Sequence, residues 1–176
     1  LEHNRPAIIM SDGTIRPGTD SVTGQRLDII SGFQVAGSDD DEMKKRIACE
    51  ACPGFGSCGG MFTYNTMQAF IGVLGMEPLH MVSPPSDDVR RIEQFPNELV
   101  NYLRALIESQ VTPRDIVTRD SIRNAMIVSM ALGGSTNVLL HAPEIARSAG
   151  YADFSDEIMS PEEFNYLSQH VVPVLV

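Results

Sequence analysis

The residues best suited to chemistry in this chain lie between Cys52 and Met67, CPGFGSCGGMFTYNTM. Gly54, Gly56, Gly59 and Gly60 permit backbone conformations closed to other residues and let the main chain approach a bound group. From Thr63 the pattern turns helical: Met67, Phe70, Ile71 and Leu74 recur at three- and four-residue spacing, and Gly75 stands where a C-cap is expected. Cys58 therefore lies just ahead of a helix start, where free N–H groups and the positive dipole end favour a thiolate. Such a thiolate can be a nucleophile or a metal ligand; the competing reading is an inert core cysteine. The Cys52 to Cys58 spacing fits no zinc pattern, and Cys49 supplies no second pair.

A second stretch, MALGGSTN from Met130 to Asn137, joins two helical patterns. Thr118 caps the first, whose face carries Ile122, Ala125, Met126, Ser129 and Met130, and Gly133-Gly134 stops it. Ser135 or Thr136 begins the next, with Val138, Leu139 and, past a kink at Pro143, Ile145 and Ala146. Two glycines before a hydroxyl-rich helix start form an anion site for a carboxylate, or simply a tight helix corner. His141 falls one turn beyond Asn137 on the same face, placed either to orient a substrate or to sit in the core.

These two stretches resemble the dihydroxy-acid dehydratase and sugar-acid dehydratase family, with Leu74-Gly75-Met76 after the first and Leu140-His141 after the second. Thr112-Pro-Arg-Asp-Ile116, Thr118-Arg119, Gly13-Thr14-Ile15, Pro17-Gly18 and Leu27-Asp28-Ile29 match in the same order, so the resemblance covers nearly the whole chain. It implies removal of water from a 2,3-dihydroxy carboxylate to give a 2-oxo acid, with an iron-sulfur cluster, [2Fe-2S] or [4Fe-4S], and Mg2+. Cys58 matches a cluster ligand, while Cys52 does not align with one and reads as structural. Gly59, Thr63, Gly134, Ser135, Thr136, Asn137 and His141 become candidate lining of the substrate pocket. The family's other cluster cysteines, its magnesium ligands and its serine base match nothing here, so no catalytic residue is assigned and the segment alone is expected to be inactive. It reads as an internal part of a longer N-terminal domain. The wording of both motifs lies nearest the branched-chain amino-acid enzymes; a sugar-acid dehydratase is the alternative, and a non-catalytic α/β module a second one. The pattern departs from the family at Asp12, where a glycine is usual, and at Phe55, Tyr64 and Gln68; Tyr64 stands where it could reshape a pocket. A homodimer or homotetramer is implied, located in the cytoplasm of a bacterium or in the mitochondrion or plastid of a eukaryote.

The elements that must position these residues are read as layered α/β, parallel strands flanked by helices. Pro6 to Met10, with branched Ile8 and Ile9, reads as a buried parallel strand, and Val171 to Val176 as a second. The turn Ser11-Asp12-Gly13 is either a pocket wall at a strand end or an ordinary turn. Leu27, Ile30, Phe33 and Gln34 suggest a helix ended by Gly37, and Ser38 is the expected cap of the next. Asp39 to Glu42 reads as a solvated helix start, since consecutive carboxylates on a helix point apart. Glu77 to Pro85 reads as irregular, with His80 a loop histidine or, as the alternative, a pocket wall at the end of the motif helix; Ser86 is the expected N-cap before Pro96 breaks or restarts a helix bearing Leu99, Leu103, Leu106 and Ile107. Ser160-Pro161-Glu162-Glu163 reads as an N-cap, an N1 proline and an acidic first turn.

Composition narrows the function. A chain of 176 residues can bury a real core. Its 23 acidic residues against 13 basic ones, a formal net charge of -10, would repel a phosphate backbone, so no nucleic-acid partner is expected. An odd cysteine count, three, gives no disulfide framework and favours a reducing compartment. No apolar run approaches a membrane span.

Overall fold

The computed structural model describes residues 1–174, and they form a helical assembly. Three helices make the centre: α3 (Thr63–Leu74), α8 (Arg119–Ala131) and α9 (Val138–Ala149). Before them come α1 (Ile29–Gln34) and α2 (Asp41–Glu50); between α3 and α8 lie α4 (Leu79–Val82), α5 (Arg90–Glu93), α6 (Phe95–Glu108) and α7 (Pro113–Ile116). After α9 follow α10 (Phe154–Glu157) and α11 (Pro161–Tyr166), the last continuing into a wide turn at Leu167–Val171.

Local chemistry explains most helix ends. Thr118 and Ser121 form a reciprocal cap on α8, Thr112 and Asp115 one on α7, and Ser160 caps α11 ahead of Pro161. Gly75 ends α3 in the left-handed conformation, φ 85°, with the following Met76 N–H returning to the Ile71 carbonyl. Pro143 sits inside the first turns of α9. For α2 the capping residue is Asp40, whose carboxylate accepts from Met43 N–H at 2.9 Å, and not Ser38, whose hydroxyl instead accepts from Asp40 N–H at 3.1 Å. Glu77 to Pro85 is less irregular than its composition suggests, because α4 forms there; His80 lies on it, exposed, and contacts Glu98 at 2.8 Å.

The core follows from helical spacing. Phe70 and Leu74 of α3 meet Ile122, Ala125 and Met126 of α8, and Val138, Ala142, Ala146 and Ala149 of α9, with Ile158 and Met159 closing one end. The alanines at four- and three-residue intervals let α9 lie close against its neighbours. A smaller cluster, Leu27, Ile47 and Ala51, seats α1 and α2 beneath the loop that leaves α2 at Ala51.

The expected layered α/β architecture is not formed. Among the described residues there is no sheet, only isolated bridges at Thr14–Ser57, parallel, and Thr19–Arg26, antiparallel. Pro6 to Met10 is not a strand and carries no ladder; its Ile9 N–H bonds the Met76 carbonyl at 2.9 Å, and Ile9 and Met10 are exposed. A branched apolar run favours extended backbone, but a strand also needs a neighbour to pair with, and pairing is non-local. Val171 closes the helical turn and residues 172–174 are unpaired, so the second expected strand does not form there; Leu175 and Val176 lie outside the described residues.

Candidate functional site

The loop carrying Cys58 is built against the segment Ser11 to Ile15. Ser57 N–H donates to the Gly13 carbonyl at 3.0 Å and Ile15 N–H to the Ser57 carbonyl at 2.8 Å, the short parallel bridge noted above. Gly56 makes this approach possible: φ is +130°, and a Cβ there would stand 2.5 Å from Ser86 Oγ and 2.7 Å from Ile15 N. Ser86 closes the layer from the other side, donating its N–H to the Thr14 carbonyl at 2.9 Å and its hydroxyl to the carbonyls of Thr14 and Phe55. It is therefore a staple of the loop and not the cap of a helix.

Segment 11–15 is itself held by buried groups. Glu77, 2% exposed, accepts from Ser11 N–H at 2.8 Å and from its hydroxyl at 2.5 Å. Arg91, also buried, donates to the carbonyls of Ser11, Met81, Pro84 and Pro85. A buried charge without such partners would be costly, and each here is enclosed by polar atoms. Gly13 N–H donates to the Tyr64 hydroxyl at 2.7 Å. Burial, then the Asp12 carboxylate beside it, push the Tyr64 phenol up to about 12, so it stays protonated at neutral pH. Nothing in the sequence pointed to these roles for Glu77, Ser86 and Arg91: the contacts that tie them to segment 11–15 span 66 to 80 residues.

Cys58 follows this layer as a half-buried free thiol. Asn65, in the first turn of α3, donates its amide to the Cys58 carbonyl at 3.0 Å and to the Gly60 carbonyl at 2.7 Å, so the helix start grips the loop on both sides of Gly59. Cys52 is also a free, half-buried thiol; burial, then the neighbouring Cys58 and Asp28, push its pKa up. Cys52 packs against Leu27, Ile47 and Ala51. Gly59 borders two cavities. One, about 240 Å³, is lined by Thr14, Pro17, Asp28, Cys52 and Gly60 as well. The other, about 320 Å³, runs along α3 past Asn65 and Gln68 to Ser83 and Leu132. A roomier apolar cavity of about 620 Å³ lies at the far end of α3, against α6, with no tie to Cys58.

The second motif is brought to the same helix. Ser135 N–H donates to Thr66 Oγ1 at 2.8 Å, and the Asn137 amide donates to Thr63 Oγ1 at 2.6 Å. Gly134 is wedged in this contact: a Cβ would come within 2.8 Å of both the Ser129 carbonyl and Thr66 Cγ2. Thr63, Gly134, Ser135 and Asn137, far apart in sequence, thus meet at the first turn of α3. This is the close corner, and it uses donors that an anion would need: Ser135 N–H serves Thr66, and Asn137 N–H serves Ser135 Oγ at 3.2 Å. Asn137, not Ser135 or Thr136, is the residue before α9. Thr136 and His141 face outward and exposed, away from this contact.

Among the described residues no group of three or more His, Cys, Asp or Glu side chains could hold a metal ion. Cys58 fits the part of one ligand to a soft metal cofactor: a thiol, partly accessible, on a fixed glycine-rich loop. Among the described residues no carboxylate cluster suited to magnesium is built. Asp12 faces Ser57 Oγ at 3.2 Å, and Asp28 caps α1. No helix among the described residues is long and apolar enough to cross a membrane.

Such an arrangement presents one partly accessible thiol on a glycine-rich loop fixed at a helix start. The chain belongs to the dihydroxy-acid/6-phosphogluconate dehydratase family, whose N-terminal domain matches residues 1–176. It is 43% identical over 152 residues to the chloroplastic dihydroxy-acid dehydratase of Arabidopsis thaliana, covering 84% of this chain and 24% of that protein. The mitochondrial dihydroxy-acid dehydratase of Saccharomyces cerevisiae is 36% identical over 175 residues, 94% of this chain and 29% of that protein. The dihydroxy-acid dehydratase of Thermosynechococcus vestitus is 39% identical over 178 residues, 98% of this chain and 30% of that protein. The chain thus spans less than a third of the length of these relatives.

Proposed function

We propose that the intact protein removes water from a 2,3-dihydroxy carboxylic acid to give a 2-oxo acid, as a dihydroxy-acid dehydratase of branched-chain amino-acid synthesis. In this reading residues 1–176 belong to its N-terminal cluster-binding domain, and Cys58 supplies one thiolate to an iron-sulfur cluster. The observation that carries it is the convergence of both motifs on the first turn of α3, through Thr63–Asn137 and Thr66–Ser135, beside the loop that presents Cys58. Names of the relatives support the same reaction.

An iron-sulfur cluster, when bound, supplies a Lewis-acidic iron that favours departure of a hydroxyl. The chain's own part is to hold the sulfur donor and shape the floor around it. Asn65 fixes the carbonyls flanking Gly59, and Gly59 opens the backbone to the two adjoining cavities. The Ser135 to Asn137 corner, locked to Thr63 and Thr66, keeps α9 in register with the loop. Thr136, with its exposed hydroxyl, and His141, one turn further, are left as candidate substrate contacts. Magnesium, part of the same reading, finds its ligands outside the described residues, and no step is assigned to it. A homodimer or homotetramer completes the reading, in the cytoplasm of a bacterium or in an organelle, as for the chloroplastic and mitochondrial relatives.

The deciding experiment measures 2-oxo acid formation by the anaerobically prepared intact protein, offered 2,3-dihydroxyisovalerate and, separately, a panel of aldonates. Turnover of the first is expected. Preference for an aldonate would move the assignment to sugar-acid breakdown, and no turnover with iron and magnesium present would overturn it.

A further inference from the structure

Tyr64 lies in the first turn of α3, six residues beyond Cys58, and touches neither cavity described beside Gly59. Its hydroxyl instead accepts the Gly13 N–H at 2.7 Å. The carbonyl of that same Gly13 accepts the Ser57 N–H at 3.0 Å, and Ser57 adjoins Cys58. Ser57 Oγ reaches the Asp12 carboxylate at 3.2 Å, and that carboxylate also lies beside the Tyr64 hydroxyl. A continuous polar path therefore runs from Tyr64 through Asp12 and Gly13 to Ser57, the residue before Cys58, while Asn65, the next residue of α3, holds the peptide after Cys58. Asp12 and Tyr64, two of the positions at which the chain departs from the pattern it resembles, meet in this path.

We propose that Tyr64, acting with Asp12, is a positioning residue for Cys58: its hydroxyl fixes segment 11–13 against α3, and this segment fixes the direction in which the loop presents the sulfur. Two neighbouring residues of one helix turn then clamp Cys58 from both sides, which confines the thiol before any cofactor is bound. The consequence for a bound cluster rests on the reading of Cys58 given above; the clamp itself does not.

The test uses the intact protein with Tyr64→Phe, which removes the hydroxyl and keeps the ring, and Asp12→Asn, which is exposed and leaves packing intact. In metal-free protein, iodoacetamide labelling of Cys58, followed on its peptide by mass spectrometry, should be about five-fold faster in Tyr64→Phe, the equivalent of one net hydrogen bond at ~1 kcal/mol. Asp12→Asn should move it the same way by less, and Tyr102→Phe, on α6, should not move it. In iron-loaded protein, Tyr64→Phe should alter the visible absorption of the cluster and shorten its life in air, with the melting temperature little changed. Unchanged labelling in both variants would overturn the proposal, as would a fall in melting temperature in Tyr64→Phe with Asp12→Asn labelled at the normal rate. If the unmodified protein takes up no iron, the functional reading fails, while the labelling difference still decides the clamp.

Discussion

Cys58 and Tyr64 illustrate how little of a residue's role is set by its type. Cys52 and Cys58 are both free, half-buried thiols, yet Cys52 packs against the α1–α2 cluster while Cys58 is held by its backbone at a helix start. Cys58→Ser in the intact protein should therefore lower bound iron severely while Cys52→Ser leaves most of it, measured by metal analysis after anaerobic loading. Tyr64 is checked by its own titration. Its phenol is held above the ordinary value of 10 because burial and Asp12 favour the neutral form, so the folded chain binds that proton more tightly than the unfolded one. The stability this gives is fully present below about pH 10 and is lost as the pH rises towards about 12. The difference in ultraviolet titration between the unmodified protein and Tyr64→Phe should show one late phenol; a phenol titrating near 10 would remove the argument.

At the scale of elements, the informative contacts are those between the loop, α3 and the corner before α9. Thr66 is buried, and its hydroxyl both donates to the Phe62 carbonyl and accepts from Ser135 N–H. Thr66→Val keeps the shape and leaves those groups unpaired, which should cost about 1–3 kcal/mol in chemical denaturation. Gly56→Ala should cost at least as much, about 1–3 kcal/mol or more, since its positive φ and the 2.7 Å approach to Ile15 N both oppose a Cβ. Helix ends were largely legible in sequence because capping is local: Thr118, Ser160 and Gly75 act within a few residues of themselves. Ser86 shows the limit. Its type suits a cap, but its hydroxyl is drawn to carbonyls 31 and 72 residues distant, and the helix begins at Arg90 instead.

For the molecule as a whole, stability concentrates where α3, α8 and α9 meet. Phe70, fully buried there, should cost about 3–5 kcal/mol when replaced by alanine, whereas Ile92→Ser, 78% exposed, should stay within about 0.5 kcal/mol by the same denaturation measurement. Among the described residues the chain offers Cys58 but no metal-binding group of three side chains, so reconstitution of residues 1–176 by themselves should yield no stable cluster; full iron and sulfide content would contradict the ligand assignment. Sequence by itself determined the helix from Thr63 to Gly75, the helix from Thr118, its stop at Gly133-Gly134 and the family, because period, caps and motif wording are properties of neighbouring residues. It did not determine the absence of a sheet among the described residues, since an apolar run reads alike whether or not a partner strand lies beside it. Nor could it decide between anion site and corner at Ser135, or join Tyr64 to Gly13. Those depend on hydrogen bonds across 51 and 69 residues, which only the tertiary packing of α3 brings within reach.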